Sequence, residues 1–186
     1  MKTNLVPSII LTTTLLVLLV GIYPLTLWGI AQFAPNKGEG VTVASEKGKQ
    51  YTTLGQAFTS THYFWSRPSA VDYNAAGSGA SNKATTNAAY LEEVEQRIAA
   101  FKATNPTVQT AEIPVDLVTA SGSGLDPNIS VQAAYVQIAR IAQARGMEVE
   151  RLEQLVAAHV QSPLLGVFGP QKINVLELNM ALDALQ

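Results

Sequence analysis

The hydrophobic pattern begins with one long apolar run, Leu5–Phe33, and no charged residue lies between Lys2 and Lys37. About 20 apolar residues cross a hydrocarbon core of ~30 Å as a helix, so this run is long enough to span with tilt. Within it, Pro24 is expected to kink or end the apolar segment. We therefore predict a transmembrane helix over residues 5–33.

A cleaved secretory signal is the alternative interpretation of this run, and Gly29 and Ala31 resemble the small residues of a cleavage site. Signal peptides have shorter apolar cores, usually about 7–15 residues, which favours a retained anchor. The orientation stays open. Lys2 and the amino terminus favour an inside N-terminus, whereas Lys47 and Lys49 reverse the bias when more distant charges are counted.

After a Gly- and charge-containing connector, residues 34–50, apolar positions recur at helical spacing and once at alternate positions. Leu91, Val94, Ile98 and Phe101 share one helical face, whereas Ile113, Val115 and Leu117 alternate with polar residues as in a strand. The predicted elements are helices over 87–104, 131–145, from 148 to before Ser162-Pro163 and from 174 onward, and a strand over 112–119. We predict one mixed α/β (α+β) domain over residues 51–186.

Local signals mark where several of these helices begin and end. Asn87 and Asn174 are suited to cap helix N-termini, the latter with Glu177 as its capping-box partner. Gly146 is suited to a left-handed C-cap. Asp126-Pro127 is expected to start the helix over 131–145 as N-cap and first residue.

Composition narrows the function classes. The 12 basic and 14 acidic residues nearly balance, so the two helices around Arg145-Gly146-Met147, although they resemble a helix-turn-helix, are not expected to bind nucleic acid. The chain has no cysteine and only two histidines, His62 and His159, which excludes thiolate ligands, a thiol nucleophile and a His-rich metal site. No residues stand out as catalytic or as metal ligands.

The loop Ser121-Gly122-Ser123-Gly124 lies between a predicted strand and a predicted helix, as phosphate-binding loops do. It completes neither a P-loop nor a dinucleotide fingerprint, because no lysine and no third glycine follow. Its backbone N–H groups could still meet an anion. Ser121–Gly124 and Asp126 are therefore weak nucleotide-binding candidates, and a tight structural turn is the favoured interpretation.

The stretch "YFWSRPSA", residues 63–70, concentrates three of the aromatic side chains in front of Arg67-Pro68. Pro68 holds Arg67 extended, so that its guanidinium can present a fixed fork of donors. We expect a structural corner in which Arg67 ties down the neighbouring Ser81-Asn82 loop. The candidate residues for structural or partner contact are Arg67, Pro68, Ser69, Ser81 and Asn82. Direct contact with a partner protein is the alternative for these residues, since aromatic and arginine anchors are enriched at interfaces as well.

Taken together, the motifs resemble those of the C subunit of the Kdp potassium-transporting ATPase, over essentially the whole chain. The motifs that carry the resemblance are the single N-terminal span, "LGQAF", "YFWSRPSA", "GSGASN", "VTASGSGLDPNIS", "RIAQARG", "LLGVFG" and "NVLELNMALD". The blocks 66–70 and 118–130 are specific only in combination.

The resemblance implies an accessory, non-catalytic subunit of a high-affinity, ATP-driven potassium uptake complex in the bacterial cytoplasmic membrane. Its implied partners are a potassium-translocating subunit, a P-type ATPase subunit and a small single-helix subunit. ATP and potassium would be handled by the complex, and this chain would need no cofactor of its own.

Family members are also described as catalytic chaperones that raise the ATP affinity of the pump subunit. The resemblance, however, implies that the soluble domain, residues 51–186, faces outward, away from cytoplasmic ATP. We therefore rank assembly and stabilisation of the complex above nucleotide binding. The alternative from another class is a stand-alone, membrane-anchored nucleotide-binding module or enzyme that uses the Ser121–Gly124 loop.

Overall fold

The computed structural model describes residues 2–45 and 48–185. Glu46 and Lys47, in the predicted connector, lie outside the described residues, as do the two terminal residues. The chain divides into two compact units, Met1–Val43 and Ala44–Gln186. The prediction of one apolar helix followed by an α+β domain is confirmed. The exact predicted boundaries of the connector stay a prediction.

In the first unit, an apolar helix of 28 residues, Asn4–Ala31, is long enough to cross a membrane. This span lies within a continuous helix formed by α1 (Lys2–Leu16), a π-helical segment (Val17–Ile22) and α2 (Tyr23–Ala31). The helix does not end at Pro24, which instead occupies the first turn of α2 directly after the π-helical segment. Since proline lacks an N–H and crowds the carbonyl four residues earlier, the wider π turn fits this position.

In its described residues, the second unit contains five α-helices, two 3-10 turns, two short strand pairs and extensive irregular chain. The helices are α3 (Ala88–Thr104), α4 (Val131–Tyr135), α5 (Ile138–Arg145), α6 (Val149–Ala158) and α7 (Val175–Asp183). The strands are β1 (Thr42–Ser45), which begins in the first unit, β2 (Gly48–Tyr51), β3 (Asn128–Ile129) and β4 (Ile173–Asn174). β1 pairs with β2, and β3 pairs with β4 in an antiparallel register, Asn128 with Asn174 and Ile129 with Ile173.

One hydrophobic core connects the helices of the second unit. Its fully buried side chains come from α4, α5, α6 and α7, from both short strands of the second pair and from one irregular segment that contributes Phe64. Phe101 is the buried end of the α3 stripe, whereas Leu91 at the other end is 47% exposed. The prediction that this face of α3 is buried is therefore correct for the C-terminal half of the helix.

Several predicted caps are confirmed. The side chain of Asn87 accepts the N–H of Tyr90 at 3.1 Å, and that of Asn174 accepts the N–H of Glu177 at 3.1 Å. Gly146 ends α5 with φ 65°, the left-handed conformation that glycine adopts without steric cost. The carboxylate of Glu177 lies near Gln161 Nε2 at 3.3 Å, in place of the reciprocal capping-box bond.

The predicted strand over residues 112–119 is wrong. This segment forms two 3-10 turns, Thr110–Glu112 and Val115–Leu117. Glu112 accepts the N–H of Gln109 at 2.8 Å, and Pro114 has no N–H to offer a neighbouring strand. Local turn hydrogen bonds therefore replace strand pairing.

The predicted helix over residues 131–145 is interrupted between α4 and α5. Gln137 Nε2 donates to the carbonyl of Ala133 at 2.9 Å, which is the acceptor that the Gln137 N–H would use in a continuous helix. The Gln137 N–H bonds to Ala134 O instead, at 3.1 Å. The amide side chain thus competes with the helical backbone and breaks the helix.

The predicted helix start at Asp126-Pro127 is also wrong. Ser130 is the N-cap of α4, and its hydroxyl accepts the N–H of Ala133 at 3.1 Å. Asp126 Oδ1 accepts the N–H of Asn128 at 3.0 Å, so Asp126 closes a local turn before β3.

Candidate functional site

The "YFWSRPSA" stretch has no regular secondary structure, and the side chains of α7 and of the N-cap of α5 satisfy part of its backbone. Asn179 of α7 accepts the N–H of Phe64 and donates to its carbonyl, both at 2.9 Å. Gln137 accepts the N–H of Trp65 at 2.8 Å. Phe64 is completely buried. The side-chain amides therefore pair with this segment as a neighbouring strand would, and they fix Phe64 in the core.

The buried side chain of Arg140 also binds this segment and the residues just before it. Arg140 is 6% exposed, and its guanidinium lies 4.5 Å from the centre of the Trp65 ring. It donates to Thr61 O (2.6 Å), Gln137 Oε1 (2.7 Å), Tyr63 O (3.0 Å), Asn105 Oδ1 (3.1 Å) and Ser60 O (3.4 Å). Burial lowers the pKa of Arg140 to about 10, so the side chain stays charged at neutral pH.

Arg145 secures the preceding residues at the surface. Its Nε donates to His62 O at 2.8 Å and its Nη2 to Asp183 Oδ1 at 2.7 Å, while its guanidinium lies 4.9 Å from the Tyr63 ring centre. Tyr63 donates its hydroxyl to the other oxygen of Asp183 at 3.1 Å. Residues 60–65 are thus fixed by two arginines and two amides.

Neither histidine joins a metal cluster. His159 is half-buried at the end of α6, with Nδ1 2.8 Å from Leu155 O, and His62 is exposed. Across residues 2–45 and 48–185, no three or more histidine or acidic side chains come together in a way that would hold a metal ion.

Arg67 contacts Asp126 rather than the Ser81-Asn82 loop. Arg67 Nη1 donates to Asp126 Oδ2 at 3.1 Å, and both side chains are about one quarter to one third exposed. The expected contact of Arg67 with Ser81 and Asn82 is therefore wrong, and both of those residues are exposed. Any role of Arg67, Pro68, Ser69, Ser81 or Asn82 in partner contact stays a prediction.

The Ser121–Gly124 loop packs against the chain that follows Arg67. Ser69 donates its hydroxyl to Gly124 O at 2.7 Å, while Ser123 O accepts the N–H of Gly79 and the hydroxyl of Ser78, both at 2.9 Å. Gly124 has φ 68°, and a Cβ there would lie 2.9 Å from Gly79 O. The glycine is therefore required both by backbone conformation and by the close approach of another segment.

Other polar groups of this loop bond within it. The N–H of Gly124 donates to Ser121 O at 3.3 Å, and the N–H of Leu125 donates to the hydroxyl of Ser123 at 3.1 Å. Ser121 is buried, whereas Gly122 and Ser123 are exposed. The local geometry is that of a structural turn. Nucleotide contact by these residues or by Asp126 stays a prediction.

An open cleft of about 620 Å³ lies beside the turn that Asp126 closes. Its walls carry two acidic and two basic side chains: Asp116, Asp126, Arg67 and Lys172. Residues 115, 119, 128–130, 170 and 171 complete the lining. The cleft therefore presents mixed charge next to the apolar side chains of Val115, Ile129 and Pro170.

Both carboxylates of the cleft hold parts of the fold together. Asp116 accepts the N–H and the hydroxyl of Ser130 at 2.7 and 3.0 Å, which ties the second 3-10 turn to the start of α4. Asp126 accepts from Arg67 and from both the backbone and the side chain of Asn128. These bonds give the cleft a fixed shape, which suits it to contact another surface.

Sequence reasoning did not find Asn105, Gln137, Arg140 and Asn179, although these four are the buried polar residues that organise the site. No local sequence signal marks these four residues, because each bonds to a residue at least 35 positions away in the chain. A buried arginine without an acidic partner in the sequence neighbourhood indicates that distant carbonyls satisfy it.

The structure defines the class of protein, an α+β domain that follows one apolar helix long enough to cross a membrane, and comparison with known proteins identifies the family. The family described as "K+-transporting ATPase, c chain" matches residues 5–184. The Potassium-transporting ATPase KdpC subunit of Flavobacterium psychrophilum is 52% identical over 177 residues, covering 95% of both chains. The same-named proteins of Flavobacterium johnsoniae and Geobacter sulfurreducens are 49% and 46% identical over at least 96% of each chain.

The chain belongs to the KdpC family of potassium-transporting ATPase subunits. The predicted family resemblance is therefore confirmed, and so is the assignment to a potassium uptake complex.

Proposed function

We propose that this chain is an accessory, non-catalytic subunit that assembles and stabilises a high-affinity, ATP-driven potassium uptake complex. Its partners are the potassium-translocating subunit, the P-type ATPase subunit and the small single-helix subunit. Relatives that match nearly its whole length are named as subunits of a potassium-transporting ATPase, which supports this role. ATP and potassium are handled by the other subunits.

The observation that carries the proposal is the internal bonding of the Ser121–Gly124 loop. Ser123 O already accepts two hydrogen bonds from residues 78 and 79, and the Cα of Gly124 faces Gly79 O. Phosphate-binding loops keep their backbone N–H groups pointing at the ligand. Here two of those groups, at residues 124 and 125, donate within the loop, which favours a structural role over the stand-alone nucleotide-binding alternative.

In this proposal the helix Asn4–Ala31 anchors the chain in the bacterial cytoplasmic membrane and the soluble domain faces outside. An outward-facing domain cannot bind cytoplasmic ATP. An effect on the ATP affinity of the pump subunit would then act through the assembled complex, not through nucleotide bound to this chain.

Co-purification tests the accessory role. The tagged full chain is expressed with its partner subunits and extracted in mild detergent, and the partners retained and the ATP turnover are measured. We expect the partners to be retained, and we expect Ser123→Ala to leave both assembly and the ATP concentration for half-maximal activity unchanged. Partner-free chain that hydrolyses ATP would establish the alternative.

Cysteine labelling tests the orientation, because the chain has no native cysteine. Ser123→Cys is exposed and should react with an impermeant thiol reagent in intact cells. Thr3→Cys, on the other side of the span, is the matched control and should react only after lysis. The opposite pattern would place the loop on the cytoplasmic side and revive direct ATP binding.

A further inference from the structure

An exposed apolar hairpin connects α6 to β4. Antiparallel bridges join Gln161 to Lys172 and Leu164 to Phe168. Four large apolar side chains at its end, called the apolar tip below, are mostly exposed: Leu164 (71%), Leu165 (82%), Val167 (77%) and Phe168 (65%). Scattered exposed leucines are ordinary on protein surfaces, whereas a contiguous apolar cluster indicates a contact site.

The apolar tip has a defined shape. The backbones of Leu164 and Phe168 exchange two hydrogen bonds of 3.0 Å, and the N–H of Gly166 donates to Pro163 O at 2.9 Å. Pro163 and Pro170 flank the tip and have no N–H. Most backbone donors of the tip are therefore satisfied internally or absent, so the tip can enter an apolar environment without leaving them unpaired.

Leu165 occupies a position that glycine or asparagine would fill more easily. Its φ is 55°, the left-handed region that side chains other than Asn, Asp and Gly adopt at a cost. Gly166 beside it also has positive φ, at 76°. A large apolar side chain at the most exposed and strained position of the turn indicates that this side chain is used in contact.

The surroundings of the apolar tip favour a protein surface over lipid. The base of the hairpin, residues 170–172, lines the mixed-charge cleft that contains Asp116, Asp126 and Arg67. Residues 44–186 carry 10 basic and 13 acidic side chains, a net charge of −3. Segments that bind lipid surfaces are typically basic, because anionic headgroups attract them. An apolar centre beside a rim of both charge signs is the pattern of a protein–protein interface.

We propose that the apolar tip inserts into an apolar groove on another subunit of the same potassium-transporting complex. The cleft beside its base forms the polar rim of that contact, where charged groups of the partner pair with Lys172 and with Asp116. This inference rests on the proposed accessory role and names the surface through which assembly occurs.

Photo-crosslinking tests the contact in the full chain within native membranes. Benzoylphenylalanine replaces Leu165 or Phe168 in the tip, and Val149, which is 41% exposed on α6, is the control position. We expect adducts with the mass of another subunit of the complex from the two tip positions and not from the control. Crosslinking to lipid, to a second copy of this chain, equally from both regions or to nothing would overturn the inference.

A double variant, Leu165→Asn with Val167→Thr, measures the contribution of the tip. Asparagine tolerates positive φ and threonine keeps the shape of valine, so the hairpin is expected to fold. Since central apolar anchors dominate interface energetics, we expect about a tenfold or greater loss of retained partner subunits. Val149→Thr, an exposed change of the same chemistry, should retain them.

The thermal unfolding midpoint of each variant, measured on the full chain in detergent, separates docking from folding. Lost partners with an unchanged midpoint support the inference. Retained partners, or a midpoint that falls in step with the partners, would overturn it. If the wild-type chain itself fails to retain partners, the accessory role is wrong, so the two failures are distinguishable.

Discussion

Replacing Arg140 with methionine removes a buried guanidinium and keeps most of the aliphatic length of the side chain. Four acceptors lose a close donor: Thr61 O (2.6 Å), Gln137 Oε1 (2.7 Å), Tyr63 O (3.0 Å) and Asn105 Oδ1 (3.1 Å). The Trp65 ring also loses the cation 4.5 Å from its centre. The irregular segment over residues 60–65 therefore loses its main attachment to α5.

Two opposing effects determine how much stability the Arg140→Met variant loses. Burial lowers the pKa of Arg140 to about 10, which shows that keeping the charge inside costs stability, and methionine removes that cost. Each buried acceptor left without a partner costs about 1–3 kcal/mol, although Gln137 Oε1 keeps the Trp65 N–H. Since several acceptors are orphaned and one cost is relieved, we expect a net loss of about 3 kcal/mol.

Urea unfolding of the full chain in detergent measures this loss. Trp65 fluorescence reports the segment directly in a Trp28→Phe background, which removes the tryptophan of the apolar helix. With a slope of about 2 kcal/mol per molar urea, the midpoint should fall by about 1.5 M.

Arg151→Met is the matched control, because Arg151 is exposed and, among the described residues, donates to Leu185 O at 3.0 Å. Its midpoint should move by less than about 0.3 M. Equal midpoints for the two variants would refute the claim that Arg140 holds the segment.

Three further predictions follow from single contacts. Gly146→Ala should lower the free energy of unfolding by about 1 kcal/mol, from positive φ alone. Gly124→Ala should lower it by about 3 kcal/mol, because Gly79 O also blocks the new Cβ. Equal shifts in the thermal unfolding midpoint would contradict this difference. Asn179→Leu should cost about 3 kcal/mol by orphaning the Phe64 backbone, and an unchanged denaturation midpoint would count against it. Hydrogen bonding from Lys83 and the charge of Arg97 lower the pKa of Glu93 in the folded chain. The contribution of Glu93 to folding stability is therefore fully present above its ordinary pKa of 4.5. It is lost as the pH falls through the lower pKa of the folded state. Glu93→Gln should therefore destabilise the chain at pH 7 and not at pH 2, as measured by thermal unfolding.

The features that the sequence predicts well are local. Asn87, Asn174 and Gly146 act within three or four residues of themselves, so their cap roles follow from the neighbouring sequence. The apolar helix Asn4–Ala31 follows from length and composition alone. These signals depend on no distant partner.

The features that the sequence predicts poorly depend on distant partners. The alternation around Pro114 indicates a strand, yet no neighbouring strand pairs with it and local turns form instead. Gln137 breaks its helix because its amide also serves Trp65, 72 residues away in the chain. Arg67 pairs with Asp126, 59 residues away, and not with the nearer Ser81-Asn82 loop.

The organisation of the site follows from one physical requirement. The chain between β2 and α3 has no helix or strand, so its buried backbone groups need side-chain partners. Helix residues supply those partners for residues 60–65, whereas Arg67 and Ser69 continue the same segment onto Asp126 and Gly124. A substitution that displaces the backbone of the Ser121–Gly124 loop, such as one at Gly124, therefore disturbs a segment that is also fixed to the core. Reduced pump activity in such a variant indicates nucleotide binding only if the unfolding midpoint and partner retention of that variant are both unchanged.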